Sequence, residues 1–402
     1  MLRRTLLLTP LLTPLVIPAA ASAAAKPKRF SAKLAAEAAI AAANPATTPI
    51  GPFDTAAKYA IVLDYNTNTT LLDKDADVSM VPSSMTKLMT AYIVYGFIKA
   101  GKFSLNSELP VSQKAWAMGG SKMYVALNSN VHVEDLIRGM IVQSGNDACI
   151  VLAEGLAGSE EQFVALMNAK AKEFGLTQTV FRNCTGWPDP EHRMSARDIS
   201  TVARRLIQDF PDFYRYDSER EFEYNHIKQQ NRNPLVQRGT ADGMKTGHTK
   251  DGGFGLVVSA ERDGRRVIIV VNGLEDKSER GEEGERLLDW AFREWVNVKL
   301  FTAGDTVEDA PVWMGSSATV PLVGGRELTA TLPRDWKQRT KIAIEYTSPL
   351  PAPVVRGTQV GRLVVSGQGV PDMSVPLLVG ADVPRLGVPG RAMAVLSHWI
   401  SG

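Results

Sequence analysis

The sequence predicts an α+β domain followed by a small all-β domain. Three observations carry that expectation. Apolar stretches with helical spacing fill the first two thirds of the chain, with strand-like runs at both ends of that region. After about residue 300 the pattern becomes short alternating runs punctuated by Gly and Pro. The chain has 402 residues, 44% apolar and 22% charged, which is globular composition and enough for two or three domains.

The elements follow in order. Ala60 to Asp64 is an apolar run that reads as a buried strand, Asn66-Thr67-Asn68 as a turn, and Thr70 to Leu72 as the returning strand. Structure is expected from about Ala57. After Pro82 a long apolar helix is predicted over Ser84 to Lys99. Further helices are expected at 133–142, 146–157, 159–174, 195–208 and 281–299. Gly253 to Ala260 and Arg266 to Asn272 form a strand pair around the turn Arg262-Asp263-Gly264. These elements define one domain over 52–298. The all-β domain covers 299–387, with strands around 318–320, 327–332, 342–347, 363–365 and 375–379.

Both ends of the chain differ from this. Met1-Leu2-Arg3-Arg4 is a basic start, an apolar run follows to Ala20, and Ala21-Ser22-Ala23 is a small-x-small cleavage site. Residues 1–23 therefore read as a secretory signal, too short and too rich in Pro to span a membrane. Residues 24–51 read as a flexible Ala-rich lead. An exported, periplasmic protein follows. At the other end, Val388, Ala392, Val395, Leu396 and Trp399 share one helical face, so 388–402 reads as an amphipathic helix lying on a membrane surface. A terminal helix docked on its own domain is the alternative.

Charge and composition exclude several classes. The net charge is only +2, which argues against nucleic acid as the main partner. Two cysteines exclude a disulfide scaffold and a cysteine-built zinc site. Cys149 and Cys184 are expected as free thiols, with pairing left open. No metal or other cofactor is expected.

Three short motifs carry chemistry. Ser84-Met85-Thr86-Lys87 is the single S-x-x-K in the chain. Three residues apart on a helix, the Lys amine reaches the Ser hydroxyl. A serine needs a neighbouring base to become a nucleophile, and an apolar helix start lowers the pKa of Lys87 toward that task. Ser144-Gly145-Asn146 lies between two helices; its hydroxyl suits a proton relay and its amide a substrate carbonyl, with a helix cap as the plain alternative. Lys245-Thr246-Gly247 precedes the strand pair. On a strand Lys245 and Gly247 face one way and Thr246 the other, so Gly247 is expected to leave ligand space beside the Lys245 cation. S-x-x-K, S-x-N and K-T-G in this order are the motif set of penicillin-binding proteins and class A β-lactamases.

The sequence closely resembles the low-molecular-mass penicillin-binding proteins that are D-alanyl-D-alanine carboxypeptidases, serine peptidase family S11. The likeness rests on Pro82-Ser83-Ser84-Met85-Thr86-Lys87-Leu88-Met89-Thr90, Ser144-Gly145-Asn146-Asp147-Ala148 and Asp242-Gly243-Met244-Lys245-Thr246-Gly247-His248-Thr249, and extends over nearly all of the chain after the signal. It implies a penicillin-recognising serine transpeptidase/β-lactamase-like domain, a β-rich second domain and a C-terminal membrane anchor. It also implies site roles. Ser84 is the acylated nucleophile, Lys87 its base, Ser144 a proton relay and Asn146 a substrate-amide ligand. Lys245, with Thr246 and Gly247 beside it, binds the terminal carboxylate, and Arg280 matches a second carboxylate-binding arginine. Backbone N–H groups of Ser84 and His248 form the oxyanion hole. The implied partners are peptidoglycan pentapeptide stems ending in D-Ala-D-Ala, with β-lactams as covalent inhibitors. Trp187, in Gly186-Trp187-Pro188-Asp189-Pro190-Glu191-His192, departs from a family Gly-Leu loop.

Three rival functions remain distinguishable. A class A β-lactamase needs an E-x-x-x-N loop; Glu221 to Asn225 matches the bare pattern but lies close before K-T-G, far from the usual place. A transpeptidase shares the acyl-enzyme and differs in the acceptor. An inactive wall-binding module would not be labelled covalently by penicillin.

Overall fold

The computed structural model describes residues 44–401. The signal segment 1–23 and the lead up to residue 43 lie outside the described residues, as do residue 402 and the side chains of 371, 372, 396–398, 400 and 401.

The first domain is built on a five-stranded antiparallel sheet. Its strands are β1 (Tyr59–Asp64), β2 (Thr70–Lys74), β3 (Gly243–Thr249), β4 (Gly253–Arg262) and β5 (Arg265–Leu274), in the order β2-β1-β5-β4-β3. Chain-distant β1 and β5 pair at the centre, with Ile61 opposite Val270. The central strands β1 and β5 carry unbroken apolar runs, Ala60–Leu63 and Val267–Val271, because both sheet faces are covered there. Ile61, Leu63, Val257, Ile268 and Val270 enter the larger core, while Ala60, Val62, Leu256, Val258, Ile269 and Val271 enter a second one on the opposite face. That is the two-residue alternation of a strand. Each fully buried aliphatic side chain there contributes about 1.5–3 kcal/mol.

Helices fill the larger core: α1 (Lys87–Lys99), α2 (Val133–Ile141), α3 (Asn146–Ala157), α4 (Glu160–Glu173) and α5 (Ala196–Asp209). α6 (Lys277–Glu294) covers the other face through Leu287, Leu288, Trp290 and Ala291. The helices stand close to their sequence expectations. Two details differ. The predicted helix at Ser84 opens as a 3-10 turn, Ser83–Thr86, before the α-helix starts at Lys87. The helix expected at 281–299 runs from 277 to 294 instead. Asp276 caps it, accepting from the N–H groups of Ser278 and Glu279 at 2.7 and 2.9 Å. It ends because Val296, Val298 and Leu300 recur every second residue, and Trp295–Phe301 becomes a strand paired with Leu328–Pro333.

Ordered packing also begins before Ala57. Ala46 is fully buried in the second core and bridges Phe53. A hairpin the sequence reading left unassigned, Glu221–Tyr224 with Ile227–Gln230, turns at Asn225 and His226, both with positive φ.

The second domain carries a six-stranded sheet around its own core of Val320, Leu322, Leu363, Val365 and Leu377. α7 (Val388–Ser401) closes the chain, with Val388, Met393, Val395 and Trp399 exposed. Among the described residues no helix is long and apolar enough to cross a membrane.

Candidate active site

Ser84 lies on the 3-10 turn that precedes α1, at the edge strand β3. The turn is held to β3 by Ser83 Oγ, which is 2.9 Å from Thr249 Oγ1. Gly247 allows this closeness. A methyl group there would sit 3.0 Å from the Pro82 carbonyl and 3.2 Å from Ser83 Cβ. The glycine therefore serves strand–turn packing, and it also lines the cavity beside Ser84.

Lys87 begins α1 fully buried. Its Nζ is 2.9 Å from Ser84 Oγ, 2.7 Å from Asn146 Oδ1 and 2.6 Å from the Thr185 carbonyl. Two of these atoms only accept, and the third is a hydroxyl that can donate. An ammonium donates to all three, while the neutral amine donates to two and turns its lone pair to the Ser84 hydroxyl, the arrangement a base needs. Burial lowers the Lys87 pKa and Arg232 lowers it further, while the Cys149 and Cys184 thiols and Asp147 oppose the shift.

Ser144 stands at the turn between α2 and α3 with φ +61°. Its Oγ is buried and has no hydrogen-bond partner, and the α3 N-cap, Gly145, offers no side chain, so the helix-cap alternative fails at this position. Asn146 donates from Nδ2 to the Gly119 carbonyl at 2.8 Å, and its backbone N–H donates to Ser121 at 2.7 Å. Asp147 anchors that loop, accepting from the N–H groups of Met123 and Tyr124 at 2.9 and 2.8 Å.

Ser84, Ser144, Thr246, Gly247, His248 and Arg280 line one cavity of about 400 Å³. Lys245 is not among its lining residues. It is 1% exposed beneath Thr246, with Nζ 3.5 Å from the Thr246 carbonyl. The His248 ring stacks on Phe254 with centroids 3.9 Å apart, and the Arg280 guanidinium lies 5.8 Å from the same ring. Arg280 is nearly buried, and its Nε has no hydrogen-bond partner. Burial and neighbouring Arg232 pull its pKa down to about 10, which still leaves it charged at neutral pH.

Sequence reasoning missed several members of the site. Arg232 lines the cavity and adds a cation, but sits in a polar Asn-Arg-Asn run without a motif. Thr185 contributes only its carbonyl, which no side-chain pattern reveals. Trp187 packs its ring on the Gly119-Gly120 backbone: methyl groups at those glycines would lie 3.2 and 3.0 Å from it. The weighed Glu221–Asn225 pattern is not a site. Glu221 pairs with Lys228 and does not line the cavity, although Gln230 opposite it on the hairpin does.

Comparison with known proteins agrees with this arrangement. Residues 42–276 match the peptidase S11 family model, described as D-alanyl-D-alanine carboxypeptidase, and residues 295–385 match the C-terminal domain of penicillin-binding protein 5. The chain is 38% identical over 344 residues to D-alanyl-D-alanine carboxypeptidase DacC of Escherichia coli, covering 83% of this chain and 86% of that one. It is 36% identical to DacA of Haemophilus influenzae, covering 85% and 89%. Among solved structures, penicillin binding protein 5 from Haemophilus influenzae superposes with TM-score 0.72 at 35% identity, covering 84% of this chain and 100% of that one. DacD from Francisella tularensis superposes at TM-score 0.74 and 31% identity, covering 82% and 94%.

Proposed function

Because the chain belongs to the peptidase S11 family and is a D-alanyl-D-alanine carboxypeptidase, we propose that Ser84 is its nucleophile and Lys87 the base. Lys87 Nζ takes the Ser84 proton as Oγ bonds to the carbonyl carbon of the penultimate D-alanine. Backbone N–H groups of Ser84 and His248 stabilise the oxyanion. The C–N bond then breaks, and the terminal D-alanine leaves with a proton relayed through Ser144. Water releases the shortened stem peptide by the reverse sequence. Asn146 orients the substrate amide with the N–H and lone pair that Gly119 and Lys87 leave free. Lys245, Thr246 and Arg280 receive the terminal carboxylate. A β-lactam acylates the same Ser84.

The observation that carries this proposal is the Lys87 amine, fully buried and 2.9 Å from Ser84 Oγ, where burial lowers its pKa. The test is D-alanine release from a pentapeptide ending in D-Ala-D-Ala. Wild type should release it, while Ser84→Ala and Lys87→Ala should each lose at least about a thousandfold. Ser84→Ala with near wild-type release would remove the assignment.

The protein acts outside the cytoplasm on this proposal, in the periplasm, and limits wall cross-linking by trimming stems. The signal pattern in residues 1–23 supports export. The exposed apolar residues of α7 support reversible attachment to the outer face of the cytoplasmic membrane.

A further inference from the structure

The Thr185 carbonyl that receives Lys87 Nζ sits in a segment whose consecutive peptide groups are each held. Glu160 Oε1 accepts from the Cys184 N–H at 3.1 Å. The Cys184 carbonyl accepts from Thr90 Oγ1 at 2.7 Å. The Gly186 N–H shares a peptide plane with the Thr185 carbonyl and donates to Asn183 Oδ1 at 2.8 Å. Gly186, at φ +78°, packs so closely on the catalytic turn that a methyl group there would collide with the Ser83 carbonyl.

These anchors differ in origin. Thr90 stands on α1 with Lys87, and Asn183 belongs to the segment itself. Glu160 comes from a separate element, the first turn of α4. Its Oε1 also accepts from the Cys184 thiol at 3.3 Å, so one oxygen holds both the backbone and the side chain of that residue. Cys184 is fully buried, and burial pushes its thiol well up, which keeps the proton it donates.

The other Glu160 oxygen faces outward. Oε2 is 2.8 Å from Nζ of Lys114, on the short helix Gln113–Ala117, and both residues line a second cavity of about 480 Å³. Lys114 is half exposed, so this ion pair adds little. Glu160 does not line the cavity that holds Ser84, and it reaches the reaction through Cys184 and Thr185.

We propose that Glu160 is a positioning residue for the reaction: it fixes Cys184 so that the Thr185 carbonyl holds Lys87 Nζ against Ser84 Oγ. This rests on Lys87 as the base. Without the Glu160 acceptor the Cys184 N–H is left without its partner, and the segment shifts to find another. Lys87 then loses a contact that sets its direction, and its alignment with the hydroxyl degrades. Lys245, Thr246 and Arg280, which receive the substrate carboxylate, stay in place, so the loss falls on kcat and spares KM.

The experiment measures D-alanine release from a pentapeptide by the full-length protein, with active sites counted by penicillin titration. Glu160→Ala should lower kcat about tenfold with KM within about twofold of wild type. Glu160→Gln keeps an acceptor oxygen for the Cys184 N–H and should restore kcat to within about threefold of wild type. Wild-type kcat in Glu160→Ala, or a Gln variant as slow as the Ala one, overturns the role of Glu160. Continued acylation of Lys87→Ala would overturn the base itself, whereas a dead Lys87→Ala beside a fully active Glu160→Ala rejects Glu160 alone. Should Glu160→Ala not fold, Glu160→Asp decides, because it draws the acceptor back by one methylene: a lowered kcat at unchanged KM supports the role, and an unchanged kcat overturns it.

Discussion

His192 shows how one buried side chain ties the catalytic turn to pH. It is 2% exposed, and its Nδ1 accepts the Arg182 N–H at 3.2 Å. That leaves Nε2–H to donate to Thr86 Oγ1 at 2.9 Å, inside the turn between Ser84 and Lys87. Burial lowers its pKa from 6.5 to about 4. The folded pKa lies below the unfolded one, so the unfolded chain binds the proton first. This contribution is complete above about pH 6.5 and is lost as pH falls toward 4, on the order of 3 kcal/mol. Thermal melts between pH 7 and 4 should show a steeper fall for wild type than for His192→Gln. Equal slopes would mean that His192 does not sense this window. His192 entered the sequence reading only as the end of a loop. Its role depends on Thr86 and Arg182, which converge from different parts of the chain, so no local pattern carried it. Ser84, Lys87, Ser144 and Lys245 were legible because their spacing is itself the chemistry.

At the scale of elements, the loop 183–187 and the Gly119-Gly120 segment act together. Asn183 Oδ1 accepts the N–H groups of Gly186 and Trp187 at 2.8 and 2.9 Å, which shapes the loop that delivers the Thr185 carbonyl to Lys87. Trp187 then covers Gly120, whose φ is +75°. A methyl group at Gly120 would lie 2.9 Å from Asn146 Nδ2 and 3.0 Å from the indole. Gly120→Ala should therefore displace the Asn146 amide, cutting D-alanine release about ten- to hundredfold with a stability loss of about 1–2 kcal/mol. Kinetics and a melt on one preparation check this; full activity would show that the segment yields without moving Asn146. Helices were legible here from their apolar faces. The strand at Trp295 was not, because its alternation follows a helix without an intervening Gly or Pro.

Across the whole molecule, the two domains meet through a polar joint. Asp64 on β1 is buried and accepts from Arg265 Nε at 2.7 Å and from Asn297 Nδ2 of the second domain at 3.3 Å. Thr67 and Thr331 hydrogen-bond across the same joint. Arg334 donates to the carbonyls of Arg293 and Phe292 at 2.7 and 3.1 Å. None of the described side chains of α7 belongs to the three cores, and its Trp399 is 88% exposed. Deleting 388–402 should therefore release the protein from membranes, with turnover of a soluble pentapeptide within about twofold of the full chain. Continued sedimentation with membranes would refute the anchor, and a soluble but inactive protein would favour a docked terminal helix. The all-β character of the second domain was legible from Gly and Pro punctuation. Its contact with β1 was not, since Asp64 and Asn297 are far apart in sequence.

The central claim is that Ser84 carries the acyl group, and mapping the covalent adduct tests it most directly. Wild-type protein is mixed with a penicillin, quenched in acid, digested and analysed by mass spectrometry. The account predicts the added penicilloyl mass on the peptide containing Ser84, lost in Ser84→Ala. An adduct on Ser144 or another residue, or intact labelling of the alanine variant, would contradict it.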